Sequence, residues 1–133
     1  MNNNERAKYY FNIAEEKYRE MHYYWDKSNW NMVIRTAQET IELLLKGVLK
    51  YINIEFPKEH DIGEYFEKIL LKRKISYDKD VMKEIIIASK ELVKKRAPAY
   101  YAEEFYSQQE AEEAKHWTNI TKDFVKQPME KLR

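Results

Sequence analysis

The chain has 133 residues, of which 44% are hydrophobic, and this length and composition predict one domain with a sizeable core. Its 24 Lys and Arg residues nearly balance its 23 Asp and Glu residues, so the net charge of +1 provides no global field for nucleic acid. Cysteine is absent and only two glycines occur, which excludes disulfide scaffolds, thiolate metal sites and glycine-rich phosphate loops.

The first residues, MNNNERAKYYFNIAEE, are polar where a signal peptide needs an apolar core. No apolar run approaches the length that spans a bilayer. We therefore expect a cytoplasmic protein without a membrane partner. Abundant Ile, Lys, Glu and Tyr without Cys are typical of a thermophilic source.

Apolar residues recur at helical spacing through the first part of the chain. They predict a first helix over Glu5–Asp26 and a second, longer one over Trp30–Ile52. The three polar residues between them force the second helix back beside the first, as an αα-hairpin. The opposite face of the second helix carries a polar row: Arg35, Glu39, Glu42, Lys46 and Lys50.

Two shorter patterns follow this hairpin. A third helix is expected to open at Asp61, with Glu64 at capping-box spacing, and to run out at Lys72–Lys74. The next apolar stripe predicts a fourth helix over Asp78–Lys95.

The end of the fourth helix and the start of the fifth are marked by single residues. Pro98 disfavours helix at the residue before it, which predicts a break near Arg96. Ser107 and Glu110 have capping-box spacing and open a fifth helix, which is expected to end at Pro128.

These segments predict an all-α fold, an antiparallel up-and-down bundle of four to five helices in a single domain over residues 1–133. Helices this rich in Trp, Tyr and Ile carry more apolar area than one small bundle hides. We therefore expect a homodimer.

His60 is the histidine with the most suggestive position, since it stands in a loop directly before a helix. A loop histidine acts in a site or packs and hydrogen-bonds within its loop, and the sequence leaves both interpretations open. His22 and His116 fit ordinary helix-surface positions. Glu39 and Glu42 lack a companion histidine or a second acidic helix, so we expect no metal.

A basic cluster ending in Arg96 is followed closely by Tyr100 and Tyr101. Basic residues among aromatics hold phosphates and stack the bases of single-stranded nucleic acid. The same residues also fit a structural role, because cations complement a helix C-terminus and tyrosines cover a core.

Four stretches share the order and spacing of one known family. AQETIELLLKGVLK contains a Gln, small residues, Glu42 and, four positions later, Lys46; PKEHDI contains His60 before an Asp and an apolar residue. KRAPAYY places Arg96 two residues before a Pro, and SQQEAEEAKHWTNITKDFV is an Ala-containing helix that closes in Phe-Val. On these residues the chain resembles the HEPN family.

The resemblance implies a helical bundle, usually dimeric, that is often encoded with a minimal nucleotidyltransferase in toxin–antitoxin-like pairs. The chain departs from the pattern at Glu39, Thr40 and Ala97, where the family commonly has Gln, Ala and Tyr. HEPN ribonucleases also carry a His four to six residues after the Arg, and none follows Arg96 at that distance. The ribonuclease motif is therefore not carried over.

Two functions remain. The first is a non-catalytic module that engages a nucleotide, RNA or a partner nucleotidyltransferase through six candidate ligand-binding residues, without a cofactor: Glu42, Lys46, His60, Arg96, Tyr100 and Tyr101. The second is a divergent metal-independent ribonuclease in which His60 supplies acid–base chemistry and Arg96 stabilises phosphate charge. The missing Arg-to-His spacing favours the first. We predict that His60, Arg96, Glu42 and Lys46 line one polar pocket or dimer groove.

Overall fold

The computed structural model describes the backbone of residues 2–131 and the side chains of residues 2–126. Within those residues the chain forms five α-helices and no strand, which confirms the predicted all-α class. The helices are α1 (Asn3–Asp26), α2 (Trp30–Tyr51), α3 (Gly63–Lys72), α4 (Lys79–Tyr100) and α5 (Gln108–Lys131). None of these helices is both long and apolar enough to cross a bilayer.

Helix α2 is the centre of the bundle. It packs along α1 over most of its length and also contacts α5 and α4, so that apolar residues such as Val33, Leu45 and Leu49 are fully buried. Its polar row is correspondingly covered, and Lys46 is only 9% exposed. The charged groups of this row are therefore held in place by neighbours, which matters for the site.

A glycine permits the close approach of α1 and α2. A Cβ atom added to Gly47 would lie 2.7 Å from Cε1 of Phe11, well inside van der Waals contact. The two helix backbones therefore pack closer at Gly47 than a larger residue allows.

Four of the helices end without glycine in the turn that follows them. The residues just past α1, α2, α3 and α4 have φ between 56° and 59°, in the left-handed region: Ser28, Asn53, Lys74 and Ala102. After α1, for example, the N–H of Asn29 donates to the carbonyl of Tyr24, which completes a Schellman motif. Because the chain has only two glycines, residues with a Cβ atom adopt the left-handed conformation at these turns, at some cost in conformational energy.

The expected break of the fourth helix near Arg96 is wrong, because α4 continues to Tyr100 with Pro98 inside it. Proline removes one helical hydrogen bond, but contacts from α2 compensate for it at the end of the helix. The Asn31 amide donates to the carbonyls of Ala99 (3.0 Å) and Glu104 (2.9 Å) and so fixes the chain on both sides of the turn.

Two other boundaries differ from expectation, and one agrees. Helix α3 begins at Gly63 rather than Asp61, whose carboxylate accepts a hydrogen bond from the Ser89 hydroxyl of α4 (2.7 Å) instead of capping α3. Helix α5 runs past Pro128, where we expected its end, since a proline near a helix terminus removes only one bond. The predicted cap of α5 is confirmed, because the Glu110 N–H donates to the Ser107 hydroxyl (3.1 Å).

Candidate functional site

An open groove of about 370 Å³ lies between α2, α4 and the loop before α3. We call it the Arg96 groove. Its lining consists of two arginines, a histidine, a tyrosine and two small apolar residues: Arg35, His60, Val93, Arg96, Ala97 and Tyr101. The structure thus brings Arg96 and His60 together, as the sequence predicted, although 36 positions separate them in the chain.

Arg96 projects from α4 and is incompletely paired. Its Nε atom is buried and has no hydrogen-bond partner among the described residues. Burial lowers the pKa of Arg96, the positive charge of Arg35 lowers it further, and Glu42 and Glu39 offset part of this effect. Since a guanidinium stays protonated at any physiological pH, the groove holds a cation whose environment favours an added anion.

Arg35, from the polar row of α2, is the second cation of the groove. Its Nη1 atom donates to the main-chain carbonyl of Arg96 (3.4 Å), and its guanidinium lies 4.8 Å from the centroid of the Tyr100 ring. The Nε atom is 3.8 Å from Glu39. These contacts fix the orientation of the Arg35 side chain at the groove. Sequence reasoning placed Arg35 in the polar row but missed it as a site residue.

His60 is oriented by a carboxylate. Its Nδ1 atom lies 2.9 Å from Oε1 of Glu42, and Glu42 also accepts hydrogen bonds from Gln38 (2.9 Å) and Lys46 (2.7 Å). An ionised carboxylate can only accept, so Nδ1 carries a proton and Nε2 takes no part in this contact. The His60 side chain is 56% exposed, so a ligand in the groove has access to it.

The remaining predicted residues take different positions. Tyr101 is 68% exposed and lines the groove. Tyr100 packs against the Arg35 guanidinium and meets the Tyr101 ring edge to face. Lys46 does not line the groove; it lies behind Glu42, with its ammonium 5.1 Å from the centroid of Phe56. Lys46 is therefore connected to His60 only through the carboxylate of Glu42. That the six residues bind a ligand stays a prediction.

The other basic residues and histidines lie outside the groove. Lys95 is over the Tyr106 ring, and Lys94 pairs with Glu91 in its own helix. His22 packs edge to face against Tyr18, and His116 lies 3.5 Å from Glu84. These contacts agree with the structural interpretation of both histidines.

These features define a class of protein. It is an all-α bundle in which the central helix, the fourth helix and a loop histidine line one cationic groove. The HEPN domain family model matches residues 5–132, nearly the whole chain, and the chain belongs to this family. No curated protein and no solved structure matches the chain significantly. Residues 97–103, APAYYAE, contain no histidine after Arg96.

Proposed function

We propose that the protein is a non-catalytic binding module whose Arg96 groove holds the phosphate groups of RNA or of a nucleotide. Membership of the HEPN domain family supports a nucleotide- or RNA-related function. The observation that carries the proposal is the meeting of two arginines, Arg35 and Arg96, in one open groove. The Nε atom of Arg96 is buried there and finds no hydrogen-bond partner in the part of the chain that the structure describes. A nucleotidyltransferase encoded beside it in a toxin–antitoxin-like pair is the protein partner that fits the same proposal.

The groove chemistry suits a nucleotide. Two guanidinium groups bind a phosphate with more geometric specificity than ammonium groups, because each presents several fixed N–H donors. Tyr101 offers an exposed aromatic face on which a base stacks. His60, held at Nδ1 by Glu42, presents Nε2 to the same ligand.

Binding of labelled single-stranded RNA, measured by fluorescence anisotropy, tests this proposal. Arg96→Gln is expected to weaken binding about tenfold and to reduce the slope of log K against log salt by about 0.7, the value for one lost phosphate contact on a single strand. The matched control is Arg73→Gln, which removes an exposed arginine just past α3 that lies outside the groove. Wild-type protein without RNA or nucleotide affinity, or an Arg96→Gln variant that binds like wild type, overturns the proposal.

A second function, metal-independent RNA cleavage, is favoured by one specific observation, the Glu42–His60 pair beside Arg96. In that reaction His60 Nε2 takes the proton of a ribose 2′-hydroxyl, whose oxygen then attacks the adjacent phosphorus. The bond to the 5′-oxygen breaks, the leaving oxygen takes a proton from solvent water, and Arg96 stabilises the charge on the phosphorane. The binding function remains the better supported of the two, because the family's Arg-to-His spacing is missing.

A further inference from the structure

A second cationic and aromatic groove lies at the other end of the α1–α2 hairpin. It has a volume of about 300 Å³ and is lined by Arg6, Tyr9 and Tyr10 of α1 and by Lys50 of α2. We call it the Tyr9 groove. None of its four residues belongs to the Arg96 groove, and none has a role in the proposed function.

The Tyr9 groove has the two features that bind single-stranded nucleic acid, a stacking surface and positive charge. The Tyr9 side chain is 58% exposed, and its ring stands perpendicular to that of Tyr10 at 6.2 Å between centroids. Tyr10 is held in turn by Phe56, with a centroid distance of 6.1 Å. Burial raises the pKa of Tyr10, as do Tyr9, Glu42 and Glu55, so its hydroxyl stays a neutral donor. Phe56 therefore holds the Tyr10 ring in place, while the Tyr9 ring is open to solvent.

The cations of this groove are weakly engaged. The Lys50 ammonium lies 4.8 Å from the Phe56 centroid and 3.9 Å from Oε2 of Glu55. Glu55 is 91% exposed, so this ion pair is screened by water and salt. Arg6 is exposed at the groove edge. Arg6 is therefore open to a phosphate, whereas Lys50 is only 19% exposed and reaches one at the groove edge by exchanging its screened contact with Glu55.

The two grooves lie on the same side of the central helix. Arg35 and Lys50 both belong to the polar row of α2. A rise of 1.5 Å per residue separates their positions by about 22 Å along the helix axis. A rotation of 100° per residue separates them by only about 60° around that axis. One loop, residues 52–62, borders both: it places His60 in the Arg96 groove and Phe56 beneath Lys50 and against Tyr10.

We propose that the Tyr9 groove is a second subsite for the same RNA strand, so that the ligand is an extended single strand rather than a free mononucleotide. A phosphate lies in the Arg96 groove, the chain crosses the 52–62 loop, and a later base stacks on Tyr9 while Arg6 and Lys50 contact its phosphates. This inference rests on the proposed function. Lys58 is exposed on that loop, and the acidic side chains of Glu55 and Glu59 are exposed there as well, so their repulsion of RNA is screened.

The length dependence of binding distinguishes a strand from a mononucleotide. At the stacked spacing of about 3.4 Å per nucleotide, roughly seven nucleotides cover the distance between the grooves, and an extended strand needs fewer. Affinity for labelled oligouridylates of two to ten nucleotides is therefore expected to rise with length up to about that size and then to level off. Equal affinity for a trinucleotide and a decanucleotide overturns the inference.

Substitutions in the second groove give the decisive comparison. The double variant Arg6→Ala, Tyr9→Ala is expected to bind the decanucleotide at least tenfold more weakly and the trinucleotide as wild type does, because base–aromatic stacking contributes only when the strand reaches Tyr9. Tyr9→Phe keeps the ring and should retain decanucleotide binding. The matched control is the double variant Tyr23→Ala, Lys27→Ala. Tyr23 is also 58% exposed, and the Lys27 ammonium lies 5.7 Å from the centroid of its ring. Tyr23 lines neither groove.

The outcomes separate this inference from the proposed function. If the double variant binds the decanucleotide like wild type while Arg96→Gln weakens trinucleotide binding, the second subsite is wrong and the proposed function stands. If the double variant loses both ligands equally, the second subsite is also wrong. If wild-type protein binds neither oligonucleotide, both the inference and the proposed function are wrong.

Discussion

His60 and Glu42 are joined by a contact of 2.9 Å between Nδ1 and Oε1, although one belongs to a loop and the other to the central helix. The Glu42 carboxylate also holds Gln38 at 2.9 Å and Lys46 at 2.7 Å. Glu42 therefore connects the interior of the bundle to the groove. Its substitution is expected to affect both stability and the orientation of His60.

Glu42→Gln is expected to lower the free energy of unfolding by about 1.5–3 kcal/mol, because Lys46 stays covered and loses its anionic partner. Urea denaturation at pH 7 measures the change. Glu84→Gln is the matched control, since Glu84 faces His116 on the exposed surface, and we expect it to cost less than about 0.5 kcal/mol. Similar losses in the two variants would contradict the role of Glu42.

The positions of the helices were largely predictable because apolar spacing is a local signal. In α5, for example, six residues that recur at helical spacing are all buried: Ala111, Ala114, Trp117, Thr121, Phe124 and Val125. The end of α4 was not predictable, since Pro98 is tolerated through hydrogen bonds that Asn31 makes from another helix. Ile87 of α4 is 47% exposed, so apolar character alone does not show which positions of this helix are covered.

The candidate site was predictable in part. His60 and Arg96 stood out by residue type and by position near helix ends, and the fold brings them into one groove. Arg35 was missed as a site residue, because its role depends on the Arg96 carbonyl and the Tyr100 ring, which only the packing of α2 against α4 brings near. Lys46 was expected in the pocket, but α2 is covered on this side, and the Lys46 ammonium contacts Glu42 and the Phe56 ring instead.

Glycine is expected to stabilise two of the helix-ending turns. Lys74 and Ala102 have φ of 57° and 56°, a conformation that costs residues with a Cβ atom more than glycine. Lys74→Gly and Ala102→Gly should each raise the free energy of unfolding by about 0.5–1 kcal/mol, measured by urea denaturation. Asn53→Gly is the control, because asparagine tolerates this conformation and its change should be close to zero. A loss of stability at Lys74 and Ala102 would contradict this explanation.

Ribonuclease activity is expected to be absent or very weak. Residues 97–103 supply no histidine after Arg96, so the groove lacks the proton acceptor at the spacing that HEPN ribonucleases carry. Purified protein incubated with labelled single-stranded RNA in EDTA provides the measurement. Robust cleavage that His60→Ala abolishes and His116→Ala preserves would instead establish the enzyme function.

A homodimer is expected to form through the connection between α4 and α5. Phe105 is 84% exposed there, and we expect a second copy of the chain to cover this large apolar side chain. Light scattering at micromolar concentration should report twice the chain mass, and Phe105→Ser should shift the protein towards the monomer without loss of helicity. Leu71→Ser, which changes an exposed leucine of α3, is the control and should leave the dimer intact. A strictly monomeric wild-type protein would refute the dimer, and a dimer unaffected by Phe105→Ser would place its interface elsewhere.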